Sequence, residues 1–136
     1  MDSQVVVNHA AVSEAWLNSA ESRLGVKFSL SYRWFLRRYN GGEICGEEVF
    51  SVYGIDFDSV SGGDIVHQHQ LDVSSGLMPD LSLVVSRTGL GEVFYFDYTM
   101  REGDEVPIRL RVPSGESVHY ASDSCEFLVT RISSSL

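Results

Sequence analysis

A chain of 136 residues with 43% hydrophobic and 11% aromatic content is the size of one domain, and a domain of that size buries about 70% of its unfolded surface around a single core. Ten basic against nineteen acidic residues leave a formal net charge of −9, which disfavours nucleic acid as a direct partner because phosphates require cations. No apolar run approaches the roughly 18 residues of a membrane span, and the opening MDSQVVVNHAAV puts an acid where a secretory signal carries basic residues, so the chain reads as soluble and cytoplasmic.

The first expected helix covers residues 8–24, with Asn8 as cap and Val12, Trp16, Ala20 and Leu24 stepping along one face. Gly25 follows as its stop, because a residue free to adopt positive φ ends a helix there. Ser29 or Ser31 can cap a second helix over residues 31–39. In it Tyr32, Phe35, Leu36 and Tyr39 recur at i, i+3, i+4 and i+7 and so share an inward face. Trp34 falls off that face beside Arg33, Arg37 and Arg38, so it is either packed by another helix or a candidate anchor for a partner. Asn40, Gly41 and Gly42 tolerate left-handed backbone and end the helix.

Residues 47–53 mix β-branched and aromatic side chains and read as a strand. Between 56 and 80 the breakers SGGD and SSGLMPD bracket a piece over 64–73 that is either a short helix or irregular. Residues 81–86 and 92–98 are apolar runs of strand length joined by a turn over 87–91, which together make an antiparallel hairpin. A charged turn over 101–105 leads to residues 107–112. There Ile108, Leu110 and Val112 alternate with Arg109 and Arg111, as in a strand with one wet face. A short strand over 117–120 precedes a last helix capped by Asp123 or Ser124, with Phe127, Leu128 and Ile132 turned inward. Helices, then strands, then a helix define a single α+β domain with helices packed against one antiparallel sheet.

Little in the sequence points to catalysis. His67 and His69 stand at i and i+2, which face different directions on a helix and lack a third ligand on a strand; His9 and His119 have no spacing relationship to them. They read as surface histidines. RTGLGEVF follows a strand without opening a helix, so it is a hairpin turn and not a phosphate loop. Asp97 at the end of an aromatic strand is the nearest approach to an isolated carboxylate, and turn amides or Arg101, Arg109 or Arg111 account for it. Cys45 and Cys125 lack metal-type spacing and read as reduced, packed thiols. No nucleophile stands beside a base, and no enzyme, metal or cofactor is expected.

The stretch LGVKFSLSYRWFLRRYNGG over residues 24–42 resembles the signature of the SUKH superfamily, the domain of the yeast SMI and KNR proteins that bacteria use widely for immunity against secreted toxins. In that family a Leu-Gly closes the first helix, and a Leu-Pro-x-x-Tyr-x-x-Phe-Leu helix follows and ends in Asn-Gly-Gly. An apolar segment like residues 50–55, a Gly-led aromatic strand like 91–97, a strand opening on Pro like 106–108 and a last helix with Phe-Leu, like Phe127 and Leu128, come after. Phe28 and Ser29 stand where the family has Leu-Pro, keeping an apolar contact and a helix start.

What the resemblance implies is a binding module without chemistry of its own. Such a protein would be an immunity protein that binds the catalytic domain of a cognate toxin, often a nuclease, and masks its active site. A basic toxin groove would attract an acidic surface, which the net charge of −9 fits. Candidate contact residues are Glu43, Glu47, Glu48, Asp56, Asp58, Asp64, Glu102, Asp104 and Glu105, with Trp34 beside them. The alternative is a regulatory or scaffold role of the SMI and KNR type.

Overall fold

Apolar runs and one alternating stretch make strands of the second half of the chain, and the computed structural model, which describes residues 5–7, 12–44, 46–76, 78–79 and 81–135, joins them with three short strands of the first half into one sheet. Its strands are β1 (Val5–Val7), β2 (Gly42–Ile44), β3 (Glu47–Val49), β4 (Ser82–Arg87), β5 (Val93–Asp97), β6 (Ile108–Arg111) and β7 (Ser117–Ala121). They pair antiparallel in chain order, a meander in which every strand neighbours the next. The described helices are α1 (Glu14–Leu24), α2 (Leu30–Arg38), α3 (Ile65–Ser75) and α4 (Ser124–Ser135), with one 3₁₀ turn at Tyr98–Met100.

Register assigns the faces. Phe94 and Phe96 of β5 stand opposite Leu110 and Ile108 of β6, and their rings meet the helices on that side. Phe127 of α4 lies 5.3 Å from Phe94, and Tyr32 of α2 lies 5.0 Å from Phe96. Arg87 of β4 pairs in register with Val93 and therefore points to the other face, where it forms an ion pair with Asp72 of α3. Buried residues from Val12 to Phe127 form one core cluster.

Local signals set the helix ends. Gly25 takes left-handed φ 75 and its N–H returns to the Glu21 carbonyl at 2.8 Å, closing α1. Ser13, and not Asn8, caps the start of α1, because its hydroxyl accepts the Trp16 N–H; residue 8 lies outside the described residues. Leu17, left out of the expected stripe, is fully buried beside Ala20. At α2 the cap is Ser29, whose side chain accepts the Tyr32 N–H at 3.2 Å, while Phe28 sets its ring edge-on to Tyr32 at 5.2 Å. Both departures from the Leu-Pro pattern thus keep the function of the residues they replace. Asn40 takes φ 48 after the helix and Gly41 φ 99.

The strands of the first half differ from expectation, and β1 was not read at all. The strand read over 47–53 ends at Val49, since Ser51 leaves the ladder to donate its N–H to the Gly63 carbonyl and accept that of Ile65. β2 went unread because three residues beginning with glycine carry no alternation. The breaker-bracketed piece is a full helix, capped by Asp64 and stopped by Gly76 at φ 66.

Candidate partner-binding surface

The acidic residues expected at the surface divide into those the fold uses and those it leaves outside. Asp64 is fully buried. Its Oδ1 accepts the N–H groups of Val66 and His67 at 2.9 and 3.2 Å, and its Oδ2 accepts that of Tyr53 at 2.9 Å. This corrects its placement among the contact residues: a carboxylate neutralising the orphan donors of a helix start inside the protein cannot meet a partner.

Glu105 is half-buried against α2 and accepts both the N–H and the hydroxyl of Ser31. Glu47 shares the face that α4 covers with Ile44, its register partner, and pairs with Arg131 of α4 at 2.6 Å. Arg131 in turn lies 4.8 Å above the Phe94 ring. Glu48 accepts the Tyr53 hydroxyl at 2.7 Å, and that hydroxyl accepts the Gly63 N–H at 2.8 Å. Burial, followed by the bond to Glu48, pushes the Tyr53 phenol up to about 12. A Cβ at Gly63 would lie 2.1 Å from the Glu48 carboxylate, so glycine is what admits this contact.

Glu43, Asp56, Asp58, Glu102 and Asp104 are exposed. Asp58 pairs with Arg23 at 2.6 Å, and Asp56 accepts the Asp58 N–H in a local turn. Glu43 stands directly opposite Glu48 across the β2–β3 hairpin, a like-charge pair that disfavours folding and leaves the hairpin negative. Glu102 and Asp104 crown a tight turn in which Glu102 and Glu105 exchange both backbone hydrogen bonds, while the Asp104 carbonyl accepts the Leu30 N–H at 2.8 Å. Their side chains are therefore free in water, but their backbone is tied to the start of α2.

α2 is thus the element between the two acidic areas. The 102–105 turn seals its N-terminus, and its C-terminus runs through Asn40 and Gly41 into β2 and Glu43. A nine-residue helix is about 14 Å long, which sets the scale of this surface. On its outer side Trp34 is 48% exposed and Leu30 64%. The Trp34 ring is held edge-on to Tyr39 at 5.9 Å, with the Arg38 guanidinium 5.9 Å from its centroid. The off-face spacing of Trp34 was readable; Leu30, one turn before it, escaped notice, although the i, i+4 interval is the signal.

Arg33, expected only as a neighbour of Trp34, has a structural role of its own. It bridges α2 to α1 through Glu14 and, at 2.9 Å, through the buried Glu21, whose other oxygen accepts the Phe28 N–H at 2.7 Å.

Other groups singled out earlier have structural explanations. Asp97 accepts the Thr99 N–H at 3.0 Å and caps the 3₁₀ turn, as a strand-end Asp is expected to do. RTGLG is the β4–β5 turn, with the Thr88 N–H on the Glu92 carbonyl and the Gly91 N–H on that of Thr88. His67 and His69 are half-buried on α3, and burial lowers the pKa of His69 against a smaller opposing pull from Asp72. Cys125 is exposed on α4 and not packed, a correction that follows from its place one residue after the buried Ser124, off the Phe127 face. Cys45 lies outside the described residues. Among the described residues no group of three His, Cys, Asp or Glu side chains could hold a metal ion, and no helix is long and apolar enough to cross a membrane.

Taken together, the meander sheet with α2 and α4 on one face and α3 on the other defines an α+β domain of the SUKH type. A family model described as SMI1-KNR4 cell-wall matches residues 14–128, and the chain belongs to that SUKH family. No curated protein matches it.

Proposed function

We propose that this chain is a cytoplasmic immunity protein that binds a cognate secreted toxin, of a polymorphic or contact-dependent system, and masks its active site without catalysis of its own. A nuclease-type toxin fits best, because a groove built for phosphates is basic and the chain carries a net charge of −9. The observation that carries the reading is the 102–105 turn: exposed carboxylates on a backbone already fixed by α2 lose little entropy on contact. Glu43 adds a second exposed acid. The family's SMI1-KNR4 description supports the alternative, a non-enzymatic regulatory or scaffold domain.

Coexpression with the toxin encoded by the adjoining gene tests the proposal. Glu102→Lys with Asp104→Lys, and separately Glu43→Lys, should slow association and reduce protection, while Glu47, Glu48, Asp64 and Glu105 are left intact because the fold uses them. Rising salt should slow association in the same way, as exposed charges lose reach once the Debye length falls to about 8 Å. If both charge reversals protect as well as the wild type, acidic masking is wrong. If the chain does not bind the adjoining toxin at all, the immunity reading falls.

A further inference from the structure

α2 carries a surface of the opposite sign, which acidic masking does not use. Lys27, Arg33, Arg37, Arg38 and Arg101, half of the ten basic residues of this acidic chain, line two adjoining hollows of ≈ 450 and ≈ 440 Å³. The hollows share Leu30 and Arg33 and so form one groove along the helix. Arg33 and Arg37 are engaged by Glu14. Lys27, Arg38 and Arg101 have no carboxylate partner among the described residues. Arg101 donates instead to the carbonyls of Gly103 and Lys27 at 2.9 and 3.0 Å, and Arg38 to the Tyr39 hydroxyl at 3.3 Å. Positive charge therefore remains at both ends of the groove.

Its middle is apolar. Leu30 and Trp34 stand one turn apart, about 6 Å, on the same side of α2 and are 64% and 48% exposed. Trp34 is already held between Tyr39 and Arg38, so little rotamer freedom remains to be lost when a ligand covers it. A fixed tryptophan ringed by arginines has the composition of a binding hot spot.

We propose that this groove binds an acidic protein segment bearing one bulky apolar side chain, with that side chain between Leu30 and Trp34 and its flanking carboxylates on Arg38 at one end and on Lys27 and Arg101 at the other. The helix length of about 14 Å matches about four residues of extended chain. Glu14 and Asp104 on the rim, together with the net charge of −9, repel a polyphosphate, and exposed Leu30 offers nothing to one. An acidic peptide needs only two or three carboxylates, placed locally.

Fluorescence anisotropy of labelled, end-capped twelve-residue peptides with the whole chain tests this. The probes are an acidic peptide with a central Phe, the same peptide with Ser for Phe, a peptide with Lys for its acids, and a twelve-nucleotide single-stranded DNA. The acidic Phe peptide should bind saturably and at least about tenfold more tightly than the other three. Trp34→Ala, Leu30→Ser, and Lys27→Glu with Arg38→Glu should each weaken it by about tenfold or more, with unchanged circular dichroism and melting. Having three independent variants keeps the test sound if one fails to fold. Absence of saturation up to about 1 mM overturns the proposal. So does equal binding of the Ser peptide or the DNA, unchanged binding by folded variants, or a concentration-dependent dimer that these substitutions abolish, since a second copy would then fill the groove. Because no toxin enters this experiment, its failure leaves the immunity reading standing, and the reverse holds too.

Discussion

The carboxylate of Glu105 holds the first turn of α2 through Ser31, with Oε2 3.0 Å from the Ser31 amide nitrogen and Oε1 2.7 Å from its hydroxyl oxygen, across 74 residues of sequence. The same hydroxyl accepts the Ser124 N–H at 2.9 Å, at the start of α4. Two helix starts and the loop between β5 and β6 therefore meet at one serine, and negative charge falls where the dipole of α2 favours it.

Removing that carboxylate should cost what a helix cap costs. Glu105→Ala is expected to lower unfolding free energy by about 1–2 kcal/mol in urea, and Glu105→Gln by less, because an amide oxygen still accepts one bond. Glu102→Lys, exposed on the same turn, should stay within about 0.5 kcal/mol. Equal losses for Glu105→Ala and Glu102→Lys would remove the capping role.

The two helix stops separate strain from steric conflict. Gly25 has φ 75 and open space where a Cβ would go, whereas at Gly41, with φ 99, a Cβ would lie 2.7 Å from Ser51 Oγ. Gly25→Ala should cost about 1 kcal/mol from backbone strain alone, and Gly41→Ala distinctly more. Adding Ser51→Ala should recover part of the Gly41→Ala loss and none of the Gly25→Ala loss, as read from thermal melts.

Arg33 and Arg37 test whether ion pairs on α2 matter by burial. The Glu21 side chain is 7% exposed and would keep a buried charge without its cation in Arg33→Met, a change expected to cost about 2–4 kcal/mol. Arg37 and Glu14 are 61% and 53% exposed, so Arg37→Met should move stability by no more than about 0.5 kcal/mol. Similar denaturation midpoints for the two variants would contradict this ranking.

His69 sets a pH dependence of known sign. Burial lowers its pKa below the ordinary 6.5, so the unfolded chain binds that proton more readily than the folded one. Its contribution is present above 6.5 and is lost as pH falls below that value. His69→Gln should flatten the decline of the melting temperature between about pH 6.5 and 5, and an unchanged slope would show that His69 plays no part.

Elements whose signals are local were legible in the sequence. Leu24-Gly25, the Tyr32, Phe35, Leu36 and Tyr39 stripe, and the run from Val93 to Asp97 each report a backbone state through neighbours within one or two turns, and all of them fold as read. The family and the α+β class follow from their order. Helical spacing likewise turned Trp34 off the buried face, but the tertiary structure decided that it stays 48% exposed.

What an acid does was not legible. Glu102 and Glu105 sit three residues apart in one charged turn, yet one is exposed and the other caps a helix 74 residues away. Glu47 finds Arg131 84 residues on, and Asp64 is buried because Tyr53, in the segment after β3, and the start of α3 close around it. Composition determined that the surface would be negative. Only the tertiary structure decided which carboxylates remain on it, because a carboxylate is taken out of water only where donors from distant segments converge to replace its hydration.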